Sequence, residues 1–433
     1  MPLQSDHHHP QRFDLVNELH ARPFPQVRAP GAAAFIAFKV PQDAVNRDPY
    51  LDRAHLYALL NHYAAALPAQ DADHYYGSLG DARLRWERHN EFMTYTLYTT
   101  SEADTPFQEV LFDVFPSEWI AMAPGKVLTS ALVELHSISS LSSGVAMLDK
   151  DVGPYFVSES FAASRVIEDK AIVCSDFRID AGGHVRFAVL AADDITPRRL
   201  GRVVQRLMEI ETYKSMAMLT LPQARRVAAR VSELDGQLTA LVQSMSQRQE
   251  AEGDTLAGLL KIAAEIEVLV STTAFRFSAA GAYEAIVSQR LSILREERLE
   301  GRQMISEFML RRFEPAMRTC RSAQARLADL SKRAARASNL LRTRVDVATS
   351  AQNQKLLESM DQRAELQLRL QETVEGLSVV AISYYAVNLL SYLLYPFVQT
   401  MGLEKKFLTA LLVVPVVVGV LWMTKRIKRK LHH

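Results

Sequence analysis

Two uncharged apolar runs near the carboxyl end, residues 377–398 and 407–423, constrain the fold of this chain more than any other feature. A helix needs about 20 apolar residues to cross a hydrocarbon layer of about 30 Å. The first run is long enough, and the second is short but has Lys405, Lys406 and Trp422 at its ends, where they suit the membrane surface. We therefore predict two transmembrane helices joined by a short loop, with a buried hairpin in a soluble core as the alternative.

Positive charge after the second run predicts the orientation. The tail, residues 424–433, contains no acid and five cations: Lys425, Arg426, Lys428, Arg429 and Lys430. Such a tail stays in the cytoplasm by the positive-inside rule, and it outweighs the two lysines of the connecting loop. Two spans then return the preceding chain to the cytoplasm, so we expect both termini there. No apolar signal-peptide core follows Met1, and the two cysteines, Cys174 and Cys320, fit a reducing compartment.

Proline usage divides the chain. Fourteen of the seventeen prolines lie at or before Pro222, whereas residues 316–376 contain none and only one glycine. Because proline interrupts helices, the first part should be rich in turns and the second nearly all helical, with breaks near Gly253 and between Gly301 and Pro315. We expect an α+β cytoplasmic domain over residues 1–200, a helical region over 201–315, a stalk helix over 316–376, the spans over 377–398 and 407–423, and the basic tail over 424–433.

Alternation of apolar and polar residues predicts the secondary structure of the first domain. Strands are expected over residues 33–40, 91–100, 126–135, 165–177 and 184–191, and a helix over 48–67. Gly182 and Gly183 indicate a hairpin turn before the last strand. Thr196 followed by Pro197 is typical of a helix start, and this helix should reach about Leu219.

The predicted stalk helix carries an imperfect heptad seam. Its apolar members are Leu356, Met360, Leu370, Val374 and Leu377, interrupted by Arg363 and Gln367. Polar positions in such a seam often set the register and the oligomeric state. A coiled coil between copies of the chain is one hypothesis, and packing against the chain's own residues 223–300 is the other.

Polar side chains also recur along the first predicted span at spacings of three or four. They form one stripe: Tyr384, Asn388, Ser391, Tyr392 and Tyr395. Polar groups within a membrane usually face protein or a water-filled path. The stripe therefore predicts either a pore lining or hydrogen bonds between the helices of an oligomer. Neither apolar run contains Asp or Glu, so we expect no ring of acidic side chains that selects cations there.

A dense ionisable cluster lies just before the second predicted strand. It comprises Arg83, Arg85, Trp86, Glu87, Arg88 and His89. If this segment is itself a strand, the odd-numbered members share one face and the even-numbered members share the other. Ion pairs between neighbouring strands would explain the cluster without any chemistry, and a catalytic face is the alternative.

Motifs that would carry catalysis are missing from the sequence. It has no Walker-type loop, no nucleophile elbow and no paired zinc-ligand motif. We take the run His7, His8 and His9 as incidental, and we predict no catalytic residue, no metal site and no cofactor. A net charge near +1 gives no general attraction to nucleic acid. The basic stretch 318–344 lacks aromatic residues for base stacking, and we expect it to be solvated or paired with acids such as Glu296, Glu297 and Glu300.

Four segments carry a family resemblance. They are residues 17–24 (NELHARPF), 84–92 (LRWERHNEF), 176–179 (DFRI) and 210–213 (IETY). Together they resemble the signatures of a bacterial membrane-anchored family, domain of unknown function 3422, from about Asn17 through the two apolar runs. This resemblance implies a bacterial inner-membrane protein and supplies no activity or catalytic residue.

The predicted order of elements also resembles that of CorA-type magnesium channels, which have a cytoplasmic α/β domain, a long stalk helix, two C-terminal spans and a basic tail. The Gly-Met-Asn signature of those channels is absent, and residues 400–404 read TMGLE at the corresponding place. The CorA-like plan therefore carries over as an architecture, without its magnesium selectivity.

These observations favour an oligomeric scaffold or sensor-like protein, anchored in the bilayer, facing the cytoplasm and without catalysis. A CorA-like divalent-cation channel is the alternative, and a membrane-bound enzyme that uses the ionisable cluster is a third hypothesis. The expected partners are the lipid bilayer and further copies of the chain, with a divalent cation in the channel alternative and no nucleic acid.

Overall fold

The computed structural model describes residues 8–13, 15–16, 24–41, 47–100, 105–247, 252–399 and 405–431. The chain divides into two compact units, residues 1–337 and 338–433. The segment 17–23, the loop 400–404 and His7 lie outside the described residues, and so do the side chains of Tyr395, Lys428, Arg429 and Lys430.

Nine strands form one sheet in the described part of the first unit. They are β1 (Gly31–Lys39), β2 (His74–Leu79), β3 (Ala82–Arg88), β4 (Phe92–Thr99), β5 (Lys126–Ile138), β6 (Ala162–Val166), β7 (Ala171–Ile179), β8 (Val185–Ala192) and β9 (Glu297–Arg298). Their order across the sheet is β2-β3-β4-β1-β5-β8-β7-β6-β9. Of the pairings between these strands, β5 with β8 is parallel and the others are antiparallel.

The helices of the described residues concentrate after β8. They are α1 (Pro49–His62), α2 (Ser117–Ala121), α3 (Leu141–Met147), α4 (Pro197–Met218), α5 (Thr220–Gln247), α6 (Glu252–Leu294), α7 (Ile305–Arg312), α8 (Glu314–Gln399) and α9 (Lys405–Leu431). The architecture is therefore α+β, as expected from the proline distribution.

Helices cover both faces of the sheet. On one face, Trp86 and Tyr95 are fully buried in a core that includes Leu56 of α1 and Trp119 of α2. The other face lies against α4, where Thr129 Oγ1 donates to Glu211 over 3.0 Å. A strand buried on both sides has little solvent-facing surface, and β4 is buried along nearly its whole length.

Most sequence-predicted elements of this unit are confirmed, with small changes of boundary. The strands expected over 33–40, 91–100, 126–135 and 184–191 correspond to β1, β4, β5 and β8, and the helix expected over 48–67 ends earlier, at His62. The Gly182–Gly183 hairpin joins β7 to β8, and α4 begins at Pro197 and ends at Met218.

One strand prediction was wrong, and the basic stretch is paired as predicted but with other acids than those named. The single strand expected over 165–177 is two strands, β6 and β7, because Ile167, Glu168 and Asp169 all have positive φ angles of 49°, 58° and 64° and reverse the chain. The acids proposed as partners of the basic stretch 318–344 are used elsewhere, for example Glu297 by Arg165. Arg321 instead pairs with Glu314 over 2.8 Å and with Glu284 of α6, and Arg333 pairs with Asp235 of α5.

Helices α8 and α9 contain the two apolar runs. Two helical stretches of the described residues, Ile305–Leu394 and Lys406–Ile427, contain a segment long and apolar enough to cross a membrane. Length and composition alone carry this finding. Large apolar side chains are exposed along both segments; Leu377 of α8 is 74% exposed and Leu411 of α9 is 76% exposed. Pro415 lies inside α9 without ending it.

Candidate functional site: a polar cleft between the sheet and helix α4

Strand β3 distributes the predicted ionisable cluster over both faces of the sheet. Arg85 and Glu87 project toward α4, whereas Leu84 and Trp86 are fully buried in the opposite core. This separation follows from the two-residue period of a strand. The Arg88 side chain also lies away from α4, and its Nε donates to Asp73 Oδ1 over 2.9 Å. The strand therefore directs two charged members of the cluster to one place.

That place is a cleft of about 250 Å³ between the sheet and two helices. The sheet supplies Phe35, Arg85, Glu87, His89, Phe92, Thr94, Thr96 and Tyr98, α4 supplies Gln205, Met208, Glu209, Thr212 and Tyr213, and α6 supplies Arg290. The alternation of β4 explains its contribution, because the residues of one parity line the cleft while Met93, Tyr95 and Leu97 fill the core. Polar side chains thus converge on an interior surface.

Two ion pairs fix the charges of the cleft. Arg85 Nη2 donates to Glu87 Oε1 over 2.8 Å, and Arg290 Nε donates to Glu209 Oε2. Gln205 Nε2 also donates to Glu209, over 2.7 Å, while the buried Oε1 of Gln205 has no partner among the described residues. The first pair joins residues two apart on one strand, whereas the pair of Arg88 with Asp73 runs from β3 to the residue before the neighbouring strand β2, in line with the pairing between strands that we expected. Two arginines and two glutamates leave these walls balanced in charge.

Aromatic rings form one end of the cleft. His89 stacks on Phe92 with ring centroids 4.3 Å apart, and Tyr213 meets Phe92 edge-on at 5.9 Å. Tyr213 in turn stacks on Tyr283 of α6 at 5.6 Å. Burial raises the pKa of Tyr98, on the opposite side of the cleft, to about 12, so its phenol stays protonated. Stacked and edge-on rings therefore line one end of the cleft.

A buried charge network adjoins this wall. Glu91 is 3% exposed and receives hydrogen bonds from Arg276 Nη2 and, over 2.6 Å, from the Tyr283 hydroxyl. Lys39 Nζ lies 3.8 Å from Glu91 Oε2 and is also buried. Burial and the neighbouring Arg276 lower the pKa of Lys39, whereas burial and Glu91 raise the pKa of Tyr283. The network links the sheet to α6.

The arrangement suits the binding of a small polar molecule. Fixed donors and acceptors line one side of the cleft and stacked rings line another, as in other ligand pockets. Thr212 cannot contribute its proton to a ligand, because its hydroxyl donates to Met208 O over 2.7 Å. His89 supplies the imidazole of the cleft lining, and its side chain also interacts with other groups of the protein.

Two of the four family-like segments meet at this cleft. Segment 84–92 provides Arg85, Glu87, His89 and Phe92 of its sheet wall, and segment 210–213 provides Thr212 and Tyr213. Segment 176–179 has a structural role elsewhere, since Asp176 Oδ2 accepts from Val157 N over 2.9 Å and Arg178 Nε donates to Ser160 Oγ over 2.8 Å. Of segment 17–24, Phe24 alone is described, and Arg202 of α4 lies over its ring at 5.7 Å.

The predicted stripe of the first span is distributed around α8. Ser391 is buried on the same helical face as Ser383 and Val387, and neither serine hydroxyl has a partner among the described residues. Tyr384 and Tyr392 are 66% exposed, and Asn388 lies between them, half-buried. Ser391 lies two turns after Tyr384, near the same face of α8, and differs from the two tyrosines in being buried. In the basic tail, Lys425 and Arg426 are exposed, and Arg426 lies over the Trp422 ring at 5.0 Å.

Helix residues were the part of the cleft that we did not predict. Gln205, Glu209 and Arg290 belong to no motif and lie more than a hundred residues beyond β3 in the sequence. The spacing of Gln205, Glu209, Thr212 and Tyr213, at three and four residues, would have placed them on one face of α4. In the described residues, no group of three or more His, Cys, Asp or Glu side chains is arranged to hold a metal ion.

Comparisons with known proteins give one match. A family model described as "Protein of unknown function (DUF3422)" matches residues 7–431. No curated protein and no solved structure matches the chain.

Proposed function

The chain belongs to the family described as protein of unknown function (DUF3422), and from that premise we propose that it is a membrane-anchored, cytoplasm-facing scaffold or sensor that assembles as a homo-oligomer. The observation that carries the proposal is the pairing, in one chain, of a folded α+β unit that contains a polar cleft with two helices whose apolar side chains are exposed. Such surfaces are stable in a bilayer and are a liability in water.

The proposed orientation of the chain in a bacterial inner membrane is supported by the positive charges at the end of α9. Lys425 and Arg426 are exposed at the end of α9, and three further cations follow in the sequence. This excess favours a cytoplasmic tail, and a pair of spans then leaves the α+β unit on the same side. A cleft on that side meets cytoplasmic solutes, which is what a sensor requires.

Self-association is supported by the polar face of α8. Tyr384 and Asn388 belong to an otherwise apolar segment, and Tyr384 is exposed in the single chain. A polar side chain that faces lipid is unfavourable, whereas contact with a second copy gives it a hydrogen-bond partner. We therefore place the interface between copies on this face.

Membrane insertion has a direct test. Membranes from the producing bacterium, washed with alkaline carbonate, should retain the full chain, and a version that ends at Gly376 should be released. Release of the full chain into the supernatant would disprove anchoring.

Orientation and assembly are tested with single cysteines. Cys174 and Cys320 are both buried, so an introduced cysteine reports with little background. In intact spheroplasts an impermeant maleimide should label Thr400→Cys and spare Ser78→Cys, which lies at an exposed position of β2. The opposite pattern would invert the topology. Native mass measurement in detergent should give a multimer, and a strict monomer would contradict the assembly.

A divalent-cation channel is the second candidate, and the same polar face of α8 favours it. In an oligomer these side chains would line a path between subunits instead of an interface. Proteoliposomes would then show divalent-ion flux that Asn388→Leu abolishes. Absence of flux under every applied gradient would contradict the channel.

A further inference from the structure

A second, larger cavity of about 1150 Å³ lies within the first unit. Four arginines line it: Arg28 from the segment before β1, Arg83 from β3, and Arg198 and Arg202 from α4. Asp81 is the acidic residue of the described lining. We call this the arginine cavity. Its predominance of positive charge contrasts with the balanced charges of the cleft described above.

The arginines of this cavity differ from most others in the unit. Arg85, Arg88, Arg165, Arg199, Arg276 and Arg290 each form an ion pair with a carboxylate. Within the described ranges, none of the four cavity arginines does so. Arg83 lies over the Tyr76 ring at 5.7 Å and Arg202 lies over Phe24, contacts that orient a guanidinium group without neutralising it.

The cavity is held in shape by a close backbone contact. Gly201 lies in α4 between Arg198 and Arg202, and a Cβ at its position would meet Pro25 O at 1.9 Å. Val27 N also donates to Pro197 O over 3.0 Å. The segment that carries Arg28 is therefore fixed against the first turns of α4, which brings the wall residues together before any ligand arrives.

The first turn of α4 adds to the positive potential. It contains no acidic residue, and the Thr196 side chain makes no capping hydrogen bond. The partial positive charge of this helix end is thus not offset by its own side chains. Its contribution supplements the four guanidinium groups, which carry the argument.

We propose that the arginine cavity binds a phosphate-bearing anion. Guanidinium groups match phosphate oxygens geometrically through paired N–H donors, and several of them can engage a ligand with more than one negative charge. The volume accommodates a molecule of metabolite size. The site does not depend on membrane insertion, and it would give the proposed sensor its ligand. A soluble phosphate compound and an anionic phospholipid headgroup share the required chemistry.

Calorimetric titration of the purified full chain in neutral detergent tests the proposal. Inorganic pyrophosphate is the soluble probe, and short-chain phosphatidylglycerol is the headgroup probe, with short-chain phosphatidylcholine, a zwitterion of zero net charge, as its counterpart. At least one anionic probe should bind with a micromolar dissociation constant that weakens with added salt, since screening reduces such attractions. Binding of pyrophosphate identifies the soluble source, and binding of phosphatidylglycerol alone identifies the lipid source.

Charge variants locate the site. Arg198→Gln combined with Arg202→Gln should weaken binding about tenfold or more, because charge-assisted hydrogen bonds are lost. Arg199→Gln is the control: it removes one positive charge from the same helical turn, where the test variant removes two, and Arg199 pairs with Glu168 and does not line the cavity. Its effect should stay below about twofold, as expected for a charge that remains screened by solvent. Circular dichroism checks that each variant is folded.

Three results would overturn the proposal. One is the absence of binding by either anionic probe up to millimolar concentration. Another is an equal loss in the Arg199→Gln control. The third is binding that appears only in a variant in which three acids near the cavity-lining residues in the sequence are changed to amides: Glu18, Glu102 and Asp104. Such a result would mean that these acids neutralise the cavity in the unmodified chain.

Discussion

The Tyr283 hydroxyl donates a 2.6 Å hydrogen bond to Glu91 Oε1, and this contact joins α6 to the residue before β4. Arg276 of the same helix donates to the other oxygen of the carboxylate, and Lys39 lies beside it. Glu91 thus balances two cations in an environment that excludes most water. Glu91 is therefore one of the groups that hold α6 against the sheet.

Glu91→Gln should therefore destabilise the protein by about 3 kcal/mol, because it leaves buried cations without a counter-charge. Tyr283→Phe is the control, since it removes one hydrogen bond and should cost only about 1 kcal/mol. Chemical denaturation of both variants in detergent measures the two losses. A smaller loss for Glu91→Gln than for Tyr283→Phe would contradict the proposed role of the charge.

His55 should make the stability of the α+β unit depend on pH. Its Nδ1 faces the Tyr95 hydroxyl at 2.8 Å and its Nε2 faces Trp119 O at 2.9 Å, an arrangement that the neutral ring satisfies by accepting at Nδ1 and donating at Nε2. Burial lowers the pKa of His55 from 6.5 to about 4. Between these values the unfolded chain binds the proton more readily, so stability falls as the pH drops.

Titration of His55 should lower the free energy of unfolding by about 2 kcal/mol between pH 8 and pH 5. His55→Asn should remove that part of the pH dependence, whatever its effect on stability at pH 8. Denaturant midpoints over the pH range measure how steeply stability depends on pH in the unmodified protein and in the His55→Asn variant. Trp119 stacks on the His55 ring at 4.0 Å, so its fluorescence gives a local second readout. Identical slopes would show that His55 does not titrate as described.

Gly201→Ala should destabilise the protein although alanine normally favours helices. The added Cβ would meet Pro25 O at 1.9 Å and would displace the segment that carries Arg28. Gly236→Ala in α5 is the matched control, because its Cβ would meet nothing within 4 Å and should gain up to about 1 kcal/mol in helix propensity. Thermal unfolding of the two variants should shift in opposite directions. A stabilised Gly201→Ala would mean that this contact relaxes freely.

Asn388 and Ser391 should differ in their effect on assembly, although both belong to the predicted stripe. Ser391 is buried within the single chain, and its hydroxyl has no partner in the described residues, so Ser391→Ala should leave assembly unchanged. Asn388 lies beside the exposed tyrosines, and Asn388→Leu should reduce the multimer fraction several-fold through loss of hydrogen bonds between copies. Chemical crosslinking in detergent compares them. Equal losses would place both residues in one interface.

Local sequence signals predicted the strands that obey a simple alternation. Strand β4 is the example. Its two faces pack against different layers, and successive residues face these layers in turn. The turn between β6 and β7 escaped prediction for a physical reason. Ile167, Glu168 and Asp169 adopt positive φ angles, which contacts distant in sequence must enforce, and no glycine marks the place.

The cleft was predictable only in part. The two-residue period of β3 placed Arg85 and Glu87 on one face, and the structure locates that face in the cleft. The opposite wall required knowledge of which helix packs there. Glu209 and Arg290 are 81 residues apart and meet only when α4 and α6 associate. The arginine cavity likewise depends on the contact between Gly201 of α4 and Pro25, which no local sequence pattern predicts.

The position of β9 has a consequence for biosynthesis. This short strand pairs with β6, yet it is separated from it by more than a hundred residues that include α4, α5 and α6. At a translation rate of about 5–20 residues per second, the β6 edge emerges from the ribosome about 7 to 26 seconds before its neighbour. An exposed edge of that kind invites pairing with other nascent chains, so a chaperone that shields it during this interval would raise the yield of correctly folded protein.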